Sequence, residues 1–566
     1  MAAAGKERHD HSTFDRSHLT DSGQLGIVTS HMSFNSYEFL FAFLPVVVFG
    51  FWLLLKLKER SWATAWLLLT SVVFYLATSP LALALIVPSI LLDFLIAQIL
   101  LRVDVSRQTL RNIWFTLGIA ANLLFLGYFK YTNFLLQTSN TILGTHWQFA
   151  SLILPLGISF LTFQKLAFLA DVKSGLIQSV RFPEFLLFTL FFPRTVAGPI
   201  IHYQELIPQI RSVRQTGCAV HIALGLCLLS IGLFKKALIA DNLNPFAAAV
   251  FDPPSVVTDI PDLPHTLLVS WVGLLAYALQ LYFDFSGYSD MALGVARMVG
   301  VRLPMNFNSP FKATNIVEFW SRWHITLTRF LTAYIYTPIV LHLTRKRMQE
   351  GKAVLSGRRS KPSAIASLVA LPSLVTMGIS GLWHGAGWQF VVWGLLHGIY
   401  LTVNQGWRIL RPRRADGPER YRWLARTSSQ TLTFTLVVIA LVFFRSSTLP
   451  AALSVFKGLA GINGVLPHVE QMLNGAGVDL NMAFLETELP LEGAWWIATL
   501  LPAVMLLPNS LELMQRFDPA LDFERTGTGG ARAMDFSTAT ATVAALLILL
   551  SVMSLSHSGG FVYGRF

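Results

Sequence analysis

Gly378-Ile379-Ser380-Gly381-Leu382-Trp383-His384-Gly385-Ala386-Gly387-Trp388 joins two apolar runs, Ala364 to Met377 and Gln389 to Leu401. Each run is long enough to lie in a bilayer beside its neighbours. Glycine weakens a helix, and an ionisable side chain at membrane depth needs a partner or a water-filled cavity. Two readings follow. Either a glycine-softened turn at a helix end happens to hold a core histidine, or the turn exists to present His384. The rest of the chain decides between them.

Of the 566 residues, 53% are hydrophobic and 13% charged, and the mean hydropathy is +0.54. A soluble domain carries about 25% charged residues. The composition therefore specifies an all-α polytopic membrane protein. Apolar segments lie near 38–55, 62–79, 81–101, 112–129, 152–170, 184–200, 219–240, 266–291, 317–343, 364–382, 388–405, 430–445, 494–508 and 536–556. Several are short or interrupted, as by Pro193, Gly198 and Pro199, which predicts roughly 11–12 true spans plus re-entrant or short helices. Residues 1–31 are polar and read as a disordered N-terminal extension, and residues 32–566 as a single membrane domain. No gap is long enough for a soluble catalytic domain, so any chemistry belongs to the membrane body. Cys218 and Cys227 form no CxxC pair and read as core residues.

The net charge of +12 sits in loops and points to topology rather than to nucleic acid. Residues 345–361 hold seven Lys and Arg against Glu350 alone, and residues 407–426 seven Arg against Asp416 and Glu419. Both loops read as cytoplasmic. The loop 446–493 has Lys457 as its one basic residue and reads as external. Lys56, Lys58 and Arg60 put the first short loop inside and the N-terminus outside. The basic loops bracket 364–405, so the stretch around His384 is predicted to be the turn of a hairpin whose two ends are cytoplasmic. Its glycines would let a ligand pass close to the backbone beside His384.

Two further polar constellations lie in apolar surroundings. In Gln280-Leu281-Tyr282-Phe283-Asp284-Phe285-Ser286-Gly287-Tyr288-Ser289-Asp290, six helical steps set the two aspartates about 240° apart, so they form no carboxylate pair unless the helix breaks at Gly287. Each is expected to be tied to a neighbouring helix. In Phe319-Trp320-Ser321-Arg322-Trp323-His324-Ile325-Thr326-Leu327, a helical reading sets Trp320, Trp323, His324 and Leu327 on one inward face. His324 is then either a structural histidine or one that orients or shares a proton. His324 and His384 meet only if the fold brings them together. There is no HExxH, no close His/Cys cluster, no GxSxG elbow and no P-loop, so no metal is expected.

These blocks resemble the membrane-bound O-acyltransferase (MBOAT) family, and within it the bacterial branch that includes the alginate O-acetylation subunit and the teichoic-acid D-alanyl transfer protein. The likeness rests on Pro155-Leu156-Gly157-Ile158-Ser159-Phe160 with Phe163-Gln164, on Phe192-Pro193-Arg194-Thr195-Val196-Ala197-Gly198-Pro199-Ile200, and on Tyr282 to Ala292 continuing to Leu303-Pro304-Met305-Asn306-Phe307. It rests also on Phe319 to Leu327 with Gly381-Leu382-Trp383-His384-Gly385. The resemblance implies a ring of helices around a central funnel, with His384 as catalytic histidine and His324 as the second functional histidine. Trp383, Trp323, Asn306, Asp284 and Arg322 are candidate substrate-binding residues. No bound cofactor is implied. The expected donor is an acyl thioester, acetyl-CoA or an acyl carrier. The expected acceptor is an exported polysaccharide or a periplasmic SGNH-type partner acetyltransferase, with the protein in a bacterial inner membrane. D-alanyl transfer from a carrier and transport without chemistry are the alternatives. The chain departs from the family pattern at Ser321, and at Thr332-Ala333 and Ile339-Val340-Leu341-His342. Those departures weaken any carry-over of a carrier-docking surface.

Overall fold

A computed structural model describes residues 32–566 apart from 58–59, 148–154, 156, 196, 214–216, 253–264, 412–418, 466–479, 524–533, 536, 556–560 and 562–566. The polar segment 1–31 lies outside the described residues, as do parts of the acidic loop 446–493. The described chain is helical, with one isolated bridge between Pro304 and Leu521. Eight helices among the described residues are long and apolar enough to cross a bilayer, and Leu449–Leu459, Leu491–Leu506 and Thr538–Ser554 are shorter apolar helices. Other apolar segments are interrupted: 184–200 becomes Phe182–Leu190 followed by a 3-10 turn at Phe192–Arg194. The protein is a multi-pass membrane protein.

The centre is built on Leu267–Met298, an unbroken helix of 32 residues, which we call the aspartate helix. It packs antiparallel on Cys218–Phe251 along a seam of glycines. A Cβ at Gly232 would lie 2.6 Å from the Gly287 carbonyl oxygen, and one at Gly294 would lie 2.5 Å from that of Gly225. Small residues at such a seam let backbones approach in a medium that offers no hydrophobic drive for helix association. Just beyond Gly232 the chain opens into a π-helical stretch, Lys235–Ala240, whose first two lysines meet the aspartates. Lys235 Nζ is 2.7 Å from Asp290 Oδ2, and Lys236 Nζ is 2.8 Å from Asp284 Oδ1. Ser510 also donates to Asp290 at 2.9 Å. The helix runs straight through Gly287, and each aspartate is tied to its neighbours as the helical spacing predicts.

The stretch around His384 is a helical hairpin. Leu371–His384, the histidine helix, is followed after Gly385-Ala386-Gly387 by Trp388–Leu410. The two helices cross at glycines. A Cβ at Gly381 would lie 2.2 Å from the Phe390 carbonyl oxygen, one at Gly394 2.2 Å from that of Met377, and one at Gly385 2.0 Å from the Phe390 ring. This corrects the expected role of the glycines. The space beside Gly381 and Gly385 is filled by the hairpin's own atoms rather than left open for a thioester arm.

Candidate active site

His384 is the last residue of its helix and is buried. A helix end leaves its last four carbonyls without intrahelical partners. Here the helix Gln108–Leu143 supplies them from a π-helical stretch, Gly127–Tyr131. The Tyr131 hydroxyl donates to the Leu382 carbonyl at 2.7 Å. The Lys130 ammonium donates to the carbonyls of Trp383 at 2.5 Å and His384 at 3.3 Å, and to Ser159 Oγ at 3.3 Å. Trp383 is anchored by its indole N–H, which donates to the Ser159 carbonyl at 3.2 Å.

The His384 ring meets Trp393 and Phe444 edge to face, each at a centroid distance of 5.1 Å. It borders a small cavity of about 20 Å³ whose walls include Trp320, Trp323, Trp393, His397 and Phe444. That is little more than the least space that admits one water. The walls are almost wholly aromatic or aliphatic.

His324 does not sit in a helix, which corrects the continuous helix expected over 317–343. Ile316–Trp320 ends, the four residues 321–324 turn, and Ile325–Leu331 begins. His324 itself has φ 44° and ψ 51°, the left-handed region that non-glycine residues seldom adopt. The reason lies in the segment Asn306–Asn308, which takes hydrogen bonds that a continuous helix would use. Asn308 N–H donates to the Arg322 carbonyl at 2.9 Å, and Ile325 N–H to the Asn306 carbonyl at 3.0 Å.

His324 is fully buried, and its Nδ1 lies 3.1 Å from Asn306 Oδ1. The same oxygen accepts from the Thr326 hydroxyl at 3.0 Å and lies 3.4 Å from the Thr326 backbone N–H. A backbone N–H can only donate, so the amide oxygen faces this group and the amide nitrogen faces Ser289 Oγ at 3.4 Å. An oxygen acceptor requires a proton on Nδ1. Neutral His324 therefore carries its lone pair on Nε2. The Trp383 indole joins the two histidines, with ring centroids 6.2 Å from His324 and 4.9 Å from His384.

The structure thus gathers His384, His324, Trp383, Trp323 and Asn306 at one place. Asn306 contacts His324 and is wholly buried. It does not gather Asp284 or Arg322 there. Asp284 is fully buried in its ion pair with Lys236. Arg322 pairs with Glu318 at 2.8 Å and donates to the Asn308 carbonyl at 3.2 Å. Neither borders the cavity. Sequence reasoning missed His397, which stacks edge-on against Trp320 and Trp393 in the same cavity. It also missed Lys130 and Tyr131. A lysine within the apolar helix 108–143 was the available signal, since an intramembrane ionisable residue marks a candidate site.

The model of MBOAT, the membrane-bound O-acyltransferase family, matches residues 59–356, a region that includes His324 and ends before His384. A peptidoglycan O-acetyltransferase from Helicobacter pylori is 38% identical over 76% of this chain and 80% of its own. A probable alginate O-acetylase, AlgI, from Azotobacter vinelandii is 33% identical over 76% of this chain and 78% of its own. A teichoic acid D-alanyltransferase from Streptococcus thermophilus is 28% identical over 50% of this chain and 64% of its own.

Proposed function

Because the chain belongs to the membrane-bound O-acyltransferase family and is therefore an acyltransferase, we propose that it moves an acetyl group from acetyl-CoA to a hydroxyl outside the bacterial inner membrane. The acceptor is an exported polysaccharide or a serine of a periplasmic partner acetyltransferase. The observation that carries this reading is the buried, aromatic-walled cavity at His384, with His324 held in a single tautomer close by. Membership of an acyltransferase family removes the transporter alternative.

In this mechanism the donor approaches from the side of the basic loops 345–361 and 407–426, where surface cations attract its phosphates. His384 acts as general base and takes the proton of the acceptor hydroxyl. The hydroxyl oxygen attacks the thioester carbon, the C–S bond breaks, and CoA leaves as a thiolate that regains a proton from the histidine. His324, with its lone pair on Nε2, orients the acceptor or shares that proton. Positioned proton transfer of this kind contributes about 10²–10⁴-fold. The apolar walls exclude water, which favours transfer over hydrolysis. Two of the relatives are named for O-acetyl transfer and cover three quarters of the chain, which supports acetyl over D-alanyl.

The test is acetyl transfer in inverted membrane vesicles given radiolabelled acetyl-CoA, read as alkali-labile label in macromolecular product. Wild-type vesicles should incorporate label, and His384→Ala vesicles with equal protein should not. Label incorporated at the wild-type rate by the variant would overturn the role of His384. D-alanyl label incorporated in place of acetyl would overturn the donor.

A further inference from the structure

Lys165 and Lys236 are buried and Lys235 and Lys130 half-buried in the described helical body, and the first three face aspartates. Lys165 pairs with Asp93 at 3.1 Å, Lys235 with Asp290, and Lys236 with Asp284 and Asp241. Lys130 is the exception. Among the described residues no carboxylate lies within 4 Å of it. Its three N–H donors meet three acceptors, the carbonyls of Trp383 and His384 and the hydroxyl of Ser159. A cation at a helix C-terminus complements the partial negative charge of the helix dipole. Tyr131, the next residue, takes the Leu382 carbonyl. Consecutive residues of one π-helical stretch thus secure three consecutive carbonyls of the histidine helix. The link continues to the helix Ile158–Lys173, because Ser159 holds Lys130 through its hydroxyl and Trp383 through its carbonyl.

We propose that Lys130, assisted by Tyr131, is a positioning residue that clamps the C-terminal turn bearing His384 and so sets the imidazole against its cavity. The inference rests on the catalytic reading of His384. A lysine is suited to the task because one side chain reaches three acceptors at once. Methionine keeps its length and loses every donor. Arginine keeps donors in a fixed fork and recovers part of the clamp.

The test compares Lys130→Met, Lys130→Arg and Tyr131→Phe with wild type, in vesicles matched for folded protein, at varied acetyl-CoA. Lys130→Met should lower kcat by about tenfold or more while KM stays within about twofold, since a misplaced catalytic group costs rate rather than binding. Lys130→Arg should recover much of the rate, and Tyr131→Phe should lose less than Lys130→Met. A lysine that only supports folding would lower the folded yield and leave kcat per folded molecule intact, which would overturn the proposal. A raised KM with unchanged kcat would also overturn it. Where Lys130→Met yields no folded protein, Tyr131→Phe carries the same kinetic test. If wild-type vesicles transfer no acyl group, the acyltransfer reading is at fault. The clamp is then judged by hydrogen–deuterium exchange at residues 382–390, which must quicken in Lys130→Met, and unchanged exchange would overturn it.

Discussion

Asn306 and His324 share one hydrogen bond, 3.1 Å from Oδ1 to Nδ1, and that contact determines which face of the imidazole can act as a base. Thr326 completes the arrangement, because its hydroxyl donates to the same oxygen and accepts from the Ile200 N–H at 3.1 Å. Asn306→Leu removes the acceptor and frees the ring to change tautomer. It should lower kcat by about 10- to 100-fold, as expected for loss of a group that orients a catalytic residue. Thr326→Val should cost less, since Asn306 remains. Acetyl transfer at varied donor concentration in membrane vesicles measures both.

With the acyl group placed in the cavity at His384, as proposed, the cavity wall limits the length of chain that is accepted. Leu441 and Trp393 form part of its wall. Leu441→Ala should accept propionyl and butyryl donors better than wild type does. A methylene is worth about 1–3 kcal/mol in such a pocket, so a shift in preference of roughly 10-fold or more is expected. Competition between acetyl-CoA and butyryl-CoA is the measurement. An unchanged ratio would mean that the acyl chain lies elsewhere.

Asp284 sits in a buried ion pair, and its substitution should act on folding. Removing one partner of a buried pair costs about 3–5 kcal/mol where the other charge is stranded, and less here because Asp241 still faces Lys236 at 2.8 Å. Asp284→Leu should therefore reduce the amount of folded protein recovered in detergent. Asp284→Leu with Lys236→Met should restore part of that amount. Normal folding of the single variant with loss of donor binding would instead make Asp284 a binding residue.

The hairpin crossing gives a sharper expectation. Gly381→Ala puts a methyl group 2.2 Å from the Phe390 carbonyl, a backbone atom that cannot turn aside. Overpacking of this kind costs about 1–3 kcal/mol or more. The variant should lose thermal stability in detergent and activity together. Gly378→Ala, whose added carbon would be 3.6 Å from Leu395, should be tolerated.

Much of this was legible in the chain. Apolar length revealed an all-α polytopic membrane protein, though eight described helices are long and apolar enough to span where 11–12 were expected, and the motif around His384 revealed the hairpin. The separation of Asp284 and Asp290 on the helix predicted that they would not pair with each other. What the sequence hid was set by contacts distant along the chain. Periodicity over 317–343 suggests one helix, because nothing local reports that Asn306 and Asn308 will claim the backbone at Arg322 and Ile325. Lys130 stands at the edge of an apolar run, and only the fold reveals that it meets a helix end 253 residues later. The glycines near His384 invited an open passage, whereas their true neighbours are the returning helix.

The left-handed backbone of His324 has a bearing on how this residue can be interrogated. Alanine at that position removes the imidazole and also strains the peptide, so a dead alanine variant confounds chemistry with geometry. Asparagine and glycine tolerate such dihedral angles far better. His324→Asn and His324→Gly therefore silence the ring while leaving the chain's path intact. A graded series through asparagine, glycine and alanine separates the contribution of the side chain from that of the turn that carries it.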